Sequence, residues 1–151
     1  MRDPDHIAAW QRIGPNLTTS GALKPEDIAQ LAAIGTRHVI NLSTSDNPCY
    51  LEGEAEMLDK AGIAYSDIPV PFDGLEEDHY QSFVAALEAG EQPVHVHCIM
   101  NWRVSAFFYR YHREHGMDEA KARALMAQQW EPDRKDYPMS EQWSAFVAAV
   151  D

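Results

Sequence analysis

Pro93-Val94-His95-Val96-His97-Cys98-Ile99-Met100-Asn101-Trp102-Arg103-Val104-Ser105 decides how this chain is read. Its first half alternates β-branched and polar residues in the manner of a short strand, opened by a proline at the strand entry. Its second half continues into Val104–His115, a segment with helical apolar spacing that predicts a long helix ended by Gly116. Cys98 therefore falls where a strand ends and Arg103 near where a helix begins, with four residues between them.

Outward from this junction the same alternation repeats. Pro25 suits the first turn of a helix that Gly35 stops, with Ile28, Leu31 and Ala32 as its apolar stripe. His38–Leu42 reads as a buried strand, residues 51–61 as a helix ending at Gly62, and Ile63–Val70 as a strand. Pro69, Pro71 and Gly74 then break the chain, and Asp78 is the expected cap of a helix over His79–Ala89. Beyond Gly116, Asp118 caps a helix running to about Trp130, and Ser140–Val150 forms a last one with Trp143, Phe146 and Val147 on one face. Strands alternating with helices predict an α/β fold: one domain over residues 1–151, with a mostly parallel sheet flanked by helices. Ligands of such sheets bind beyond the carboxyl ends of the strands, which is where Cys98 lies.

Composition narrows the function. The chain has 151 residues, 45% of them hydrophobic and 24% charged, as expected of a globular domain. A net charge of −12 argues against nucleic acid and against anionic membranes, both of which require clustered Lys and Arg. Very acidic protein substrates are disfavoured for the same reason. No apolar run is long enough for a transmembrane helix, and the acidic start, broken by Pro4, lacks the form of a secretion signal, so a cytoplasmic protein is expected. Two cysteines make no disulfide framework, and the seven histidines form no metal-ligand pattern. No metal or other cofactor is implied.

The junction itself has a chemistry. A thiol at a strand-to-helix loop meets inward-facing N–H groups and the positive end of the helix, which favour the thiolate. The same N–H groups, of Ile99, Met100, Asn101, Trp102 and Arg103, can cradle three oxygens of a tetrahedral anion, and the guanidinium of Arg103 can hold two more contacts in a planar fork. Nucleophile, nest and fork together suit attack on a phosphate or on a sulfur anion. Taken singly, Cys98 would be a small buried hydrophobe and Arg103 a solvated helix residue.

His97-Cys98 through Arg103 resembles the signature loop of the protein tyrosine and dual-specificity phosphatase superfamily. The segments NLTTSGALKPEDI, GTRHVINL, YSDIPVPFD and VHVHCIMNWR together resemble more closely the small bacterial family described as beta-lactamase-hydrolase-like phosphatases, over about residues 14–130. The resemblance implies a phosphatase-like fold and hydrolysis of a phosphorylated small molecule or phosphoprotein through a phosphocysteine at Cys98. It also implies a loop-ordering role for His97 and a general acid at Asp73, within Val70-Pro71-Phe72-Asp73-Gly74, where Gly74 would let the loop move. The alternative for Asp73 is a turn residue. Asp67, Glu76 and Asp78 are the reserve candidates.

Three departures matter. Phosphatases of this superfamily carry five residues between Cys and Arg, whereas this chain has the four found in many rhodanese-like sulfurtransferases. Asn101 stands where a Gly is usual, and tolerates a left-handed backbone better than other side chains. Val104 replaces the hydroxyl that follows the arginine; Ser105, one step later on a helix, points about 100° away. Slow turnover is expected. A persulfide-carrying sulfurtransferase and a non-catalytic phosphate-binding module are the alternatives.

Other residues carry weaker signals. His95 shares His97's side of the strand and reads as core. Asp46 and Asn47 belong to a loop at the same end of the sheet and are placed to shape the pocket rim. Cys49, in that loop too, is an unrelated loop cysteine or a partner for Cys98 on oxidation. Phe107-Phe108-Tyr109-Arg110-Tyr111 reads as buried helix, Trp102 as a pocket wall or a stacking ring, and Arg134 and Lys135 as a solvated loop or holders of a second phosphate.

Overall fold

Val94–His97 form a strand and Trp102–Glu114 a helix, so the junction around Cys98 has the expected form. The structure, a computed structural model, describes residues 3–133 and 140–149. Along the chain it contains β1 (Gln11–Gly14), β2 (Leu17–Ser20), α1 (Asp27–Ala33), β3 (His38–Asn41), α2 (Glu54–Lys60), β4 (Ala64–Asp67), α3 (Glu77–Ala89), β5 (Val94–His97), α4 (Trp102–Glu114), α5 (Glu119–Ala127) and α6 (Ser140–Ala148). The sheet runs β1-β2-β5-β3-β4, antiparallel only between β1 and β2. β5 is thus the central strand, and its carboxyl end opens between those of β2 and β3.

Strand alternation sorts the core into two layers. Ile40, Val94 and Val96 pack with Tyr80 and Phe83 of α3, Phe107 of α4, Met126 of α5 and Trp143 of α6. Val39 faces the other way, onto Ile28 and Leu31 of α1 and Leu58 of α2. Each fully buried aromatic or aliphatic side chain contributes about 1.5–3 kcal/mol. Arg110 enters the aromatic run of α4 because its guanidinium lies 4.4 Å over the Tyr80 ring and pairs with Glu77 and Glu114 at 2.7 and 2.9 Å.

Two features depart from the sequence reading. The β1–β2 hairpin was not expected, because Thr18, Thr19 and Ser20 are polar yet buried, and so show no apolar alternation. Their hydroxyls are satisfied inside: Thr18 and Ser20 Oγ atoms each lie 2.8 Å from a ring nitrogen of His95, and Thr19 Oγ1 accepts from Asn101. The cap of α3 is Glu76 rather than Asp78. The Glu76 side chain accepts from the His79 N–H, and the Glu76 N–H donates back to His79 Nδ1 at 3.0 Å. By contrast Asp118 caps α5 as expected, accepting from the Lys121 N–H at 3.2 Å.

Candidate active site

Cys98 follows the last residue of β5 and is 1% exposed. It lines a cavity of about 280 Å³ together with Ile99, Met100, Trp102 and Arg103, and with Asn47 and Phe72 from neighbouring loops. The sequence-predicted loop residues are therefore gathered at one pocket, except that Asn101 is fully buried behind it.

The loop's shape is imposed from outside. The Ala22 N–H donates to the Ile99 carbonyl at 2.9 Å, which draws that oxygen toward the end of β2. A trans peptide directs its N–H opposite to its carbonyl, so the Met100 N–H turns the other way. Gly21 makes the close approach feasible: a Cβ there would collide with the Ile99 oxygen. Asn101 has φ 65°, in the left-handed region, and Nδ2 donates to the Ala9 carbonyl at 2.9 Å and to Thr19 Oγ1 at 3.0 Å. It is also the residue from which α4 starts, and accepts from the Ser105 N–H at 3.0 Å. The loop thus rests on the segment before β1 and on β2, both outside the signature itself.

Arg103 occupies the first turn of α4, where Nη1 donates to the Val70 carbonyl at 2.9 Å. It borders both the Cys98 cavity and an outer one of about 560 Å³ that is lined by Asp46, Asn47 and Asp73 among others. Asp73 is exposed and lines the outer cavity with Arg103, while the lining of the Cys98 cavity does not include it. Its loop is braced: Gln142 Nε2 donates to the Asp73 carbonyl at 2.8 Å, and Trp143 Nε1 to the Phe72 carbonyl at 2.8 Å. The freedom expected from Gly74 is accordingly opposed by α6.

The reserve acids lie elsewhere. Glu76 is engaged in the α3 cap. Asp78 stands in the first turn of that helix. Asp67, at the end of β4, is near Glu54 and His97; desolvation first, and then the Glu54 charge, raise its pKa. Ser105 donates to the Trp102 carbonyl at 3.1 Å and borders a separate small cavity with Thr19 and Phe108, away from Cys98. Trp102 both walls the pocket and stacks on Trp130, ring centroids 4.8 Å apart.

Both strand histidines face the α1–α2 side, their rings stacked 6.3 Å apart. Ser20 Oγ donates to the Gly21 carbonyl at 2.9 Å, so it receives the proton of His95 Nε2, and Thr18 Oγ1 donates to Nδ1. His95 is a satisfied core histidine, and burial holds its pKa well below the usual value. His97 is paired instead with Glu54, a residue the sequence reading passed over, because an acid in the first turn of a helix ordinarily faces solvent. Cys49 and Cys98 are both free thiols, the former exposed. Among the described residues no group of three His, Cys, Asp or Glu side chains is placed to hold a metal, and no helix is long and apolar enough to cross a membrane. Arg134 and Lys135 lie outside the described residues.

This architecture is shared with known proteins. The structure superimposes on that of a DUF442 phosphatase-type protein of Shewanella putrefaciens CN-32 with a TM-score of 0.82 and 26% identity, covering 96% of this chain and 90% of that one. A complex of P. aeruginosa TpbA, a cysteine-to-serine variant, with pTyr matches with a TM-score of 0.72 and 22% identity, over 94% of this chain and 84% of that one. The catalytic core of the S. cerevisiae PP-IP phosphatase Siw14 matches in fold alone, with a TM-score of 0.74, 12% identity and coverage of 96% and 88%. No curated protein matches the chain in sequence. Residues 10–109, which span the β1–β2 hairpin, the Cys98 loop and most of α4, match a family in their own right, and the chain belongs to it: the Beta-lactamase hydrolase-like protein, phosphatase-like domain family.

Proposed function

We propose that this protein is a cysteine-dependent phosphatase acting on phosphate monoesters. The observation that supports the reading is that Cys98, the loop residues Ile99, Met100 and Trp102, and Arg103 in the first turn of α4 all line one cavity. In the first step the Cys98 thiolate attacks phosphorus, an S–P bond forms and the ester P–O bond breaks. Asp73 supplies the proton to the leaving oxygen. In the second step water attacks phosphorus and gives its proton to Asp73, the S–P bond breaks, and inorganic phosphate and the thiolate are released. Throughout, the three non-bridging oxygens face the N–H groups of residues 99–103 and the fork of Arg103. Because Asp73 lines an outer cavity that shares Asn47, Phe72 and Arg103 with the Cys98 cavity, it suits a leaving group that projects outward along Phe72. No metal takes part in this scheme.

The substrate class is a phosphorylated small molecule or a phosphoprotein. The pTyr bound by TpbA supports a monoester, and the apolar walls of Phe72, Trp102 and Met100 suit a leaving group with an apolar face. The four-residue gap between Cys98 and Arg103 favours a second reading, transfer of a sulfane sulfur held as a Cys98 persulfide.

Release of phosphate from an aryl phosphate near pH 6 tests both. Wild type should turn over, Cys98→Ser should not, and Asp73→Asn should retain a small residue of activity. Absence of turnover in wild type, with thiocyanate produced from thiosulfate and cyanide, would replace the first reading by the second.

A further inference from the structure

Glu54 lies in the first turn of α2, distant in sequence from the Cys98 loop, yet its side chain is 1% exposed and that of His97 is 2% exposed. Glu54 Oε2 is 2.7 Å from His97 Nε2. Glu54 Oε1 accepts from Asn41 Nδ2 at 3.2 Å, and the same amide nitrogen donates to the Tyr65 hydroxyl at 3.1 Å. Asn41 Oδ1 accepts from the Ser43 N–H at 2.8 Å and from its hydroxyl, which fixes the amide in turn. A buried carboxyl with this many dedicated partners is costly to desolvate, and its retention needs a reason.

The other nitrogen of the ring supplies one. His97 Nδ1 is 3.2 Å from the Cys98 carbonyl oxygen. A carbonyl can only accept, so this contact needs a proton on Nδ1, and the 2.7 Å contact of Nε2 then needs a second proton held between the ring and the Glu54 carboxyl. The Cys98 carbonyl is therefore held on the His97 side, and by peptide geometry the Ile99 N–H is turned the opposite way. The next carbonyl, that of Ile99, is held by the Ala22 N–H. Two successive peptides of the loop are thus oriented by ties from outside, one through Ala22 and one through the Glu54–His97 pair.

We propose that Glu54 is a positioning residue for the anion loop, acting through His97 to hold the Cys98 carbonyl outward and so to aim the Ile99 N–H at the bound anion. The kinetic part of this inference rests on the phosphatase reading; the binding part does not. Glu54 touches neither substrate nor the reacting sulfur.

The test is tungstate binding by calorimetry for wild type, Glu54→Gln, His97→Asn and the double variant, each checked for folding by circular dichroism. Glu54→Gln should weaken tungstate about tenfold, lower kcat on an aryl phosphate by a similar factor with KM changed less than twofold, and add nothing in the His97→Asn background. Unchanged tungstate affinity in folded Glu54→Gln, or losses that multiply in the double variant, would overturn the proposal. Nitrogen-15 NMR of the wild-type histidines gives a reading that needs no variant: His97 Nδ1 should be protonated, and a bare Nδ1 would refute the tie to Cys98. A wild type that binds tungstate with the expected variant pattern but hydrolyses no phosphate ester would sink the phosphatase reading and leave this one standing.

Discussion

Gln142, on α6, grips the Asp73 turn from both sides: its Nε2 donates to the Asp73 carbonyl at 2.8 Å and its Oε1 accepts from the Leu75 N–H at 3.1 Å. One side-chain amide thus closes the segment that carries the proposed acid, and the neighbouring Trp143 anchors Phe72. Trp143 is fully buried and its loss would disturb the core, whereas Gln142 is exposed and can be removed cleanly.

Gln142→Ala removes both hydrogen bonds and should therefore lower kcat about fivefold with little change in KM, the rate equivalent of ~1 kcal/mol. Steady-state kinetics on an aryl phosphate check this. An unchanged kcat would mean that α6 does not set the position of Asp73.

Arg103→Lys keeps the charge and loses the fork. The lysine has no paired N–H groups for two oxygens, and it also gives up the geometry of the Val70 carbonyl contact. kcat/KM should fall by about 10²–10³, as for loss of other donors to a developing oxyanion. Activity within tenfold of wild type would remove Arg103 from the transition state.

Gly21→Ala lies outside the signature loop but should damage it. The added methyl meets the Ile99 carbonyl oxygen, which must move and take the Met100 N–H with it. Phosphate or tungstate affinity should drop at least tenfold, and overpacking should cost about 1–3 kcal/mol of stability by urea denaturation. An alanine variant with wild-type anion affinity would show that the Ala22 tie is dispensable.

Asn101 separates backbone from side-chain effects. Asn101→Gly relieves the positive φ but removes both Nδ2 hydrogen bonds, while Asn101→Ala loses the bonds and keeps the strain. Alanine should therefore be the less stable of the two, by about 1 kcal/mol. Equal melting of the two variants would contradict the left-handed assignment.

Stability should fall with acid in a defined window. Burial, then His115 and Lys121, lower the pKa of His112 from 6.5 to about 4, and burial, then His97, hold His95 well below its usual value. Both imidazoles are neutral when folded, and the unfolded chain takes up protons first, so stability rises with pH between about 4 and 6.5 and is lost as the pH drops through that range. Thermal melts at pH 7 and pH 5 should differ by several degrees in this direction, and His112→Gln should narrow the gap. A melting temperature that does not change over this range would contradict the burial of both rings.

Much of the candidate site could be read in the sequence because its signals are local. The alternation of Val94–His97, the helical spacing after Arg103, the stop at Gly116 and the cap at Asp118 each act within a few residues, and they place Cys98 at a strand end and Arg103 near a helix start. The α/β architecture follows from the same kind of evidence repeated along the chain. The β1–β2 hairpin was hidden because its strand residues Thr18, Thr19 and Ser20 are buried as hydrogen-bonded polar groups, and burial of that kind has no apolar signature. The same holds for Glu54, whose place in a helix's first turn reads as solvated, and for Gln142, which reads as an ordinary surface amide. What each of these residues does depends on a partner far away in the chain: His97 for Glu54, the Asp73 turn for Gln142, Ile99 for Gly21 and Ala22. Sequence alone determined which groups could do chemistry at the end of β5. Only the tertiary structure decided which remote side chains hold them in place, because hydrogen bonds between distant segments are set by how the elements pack and leave no period or spacing to read.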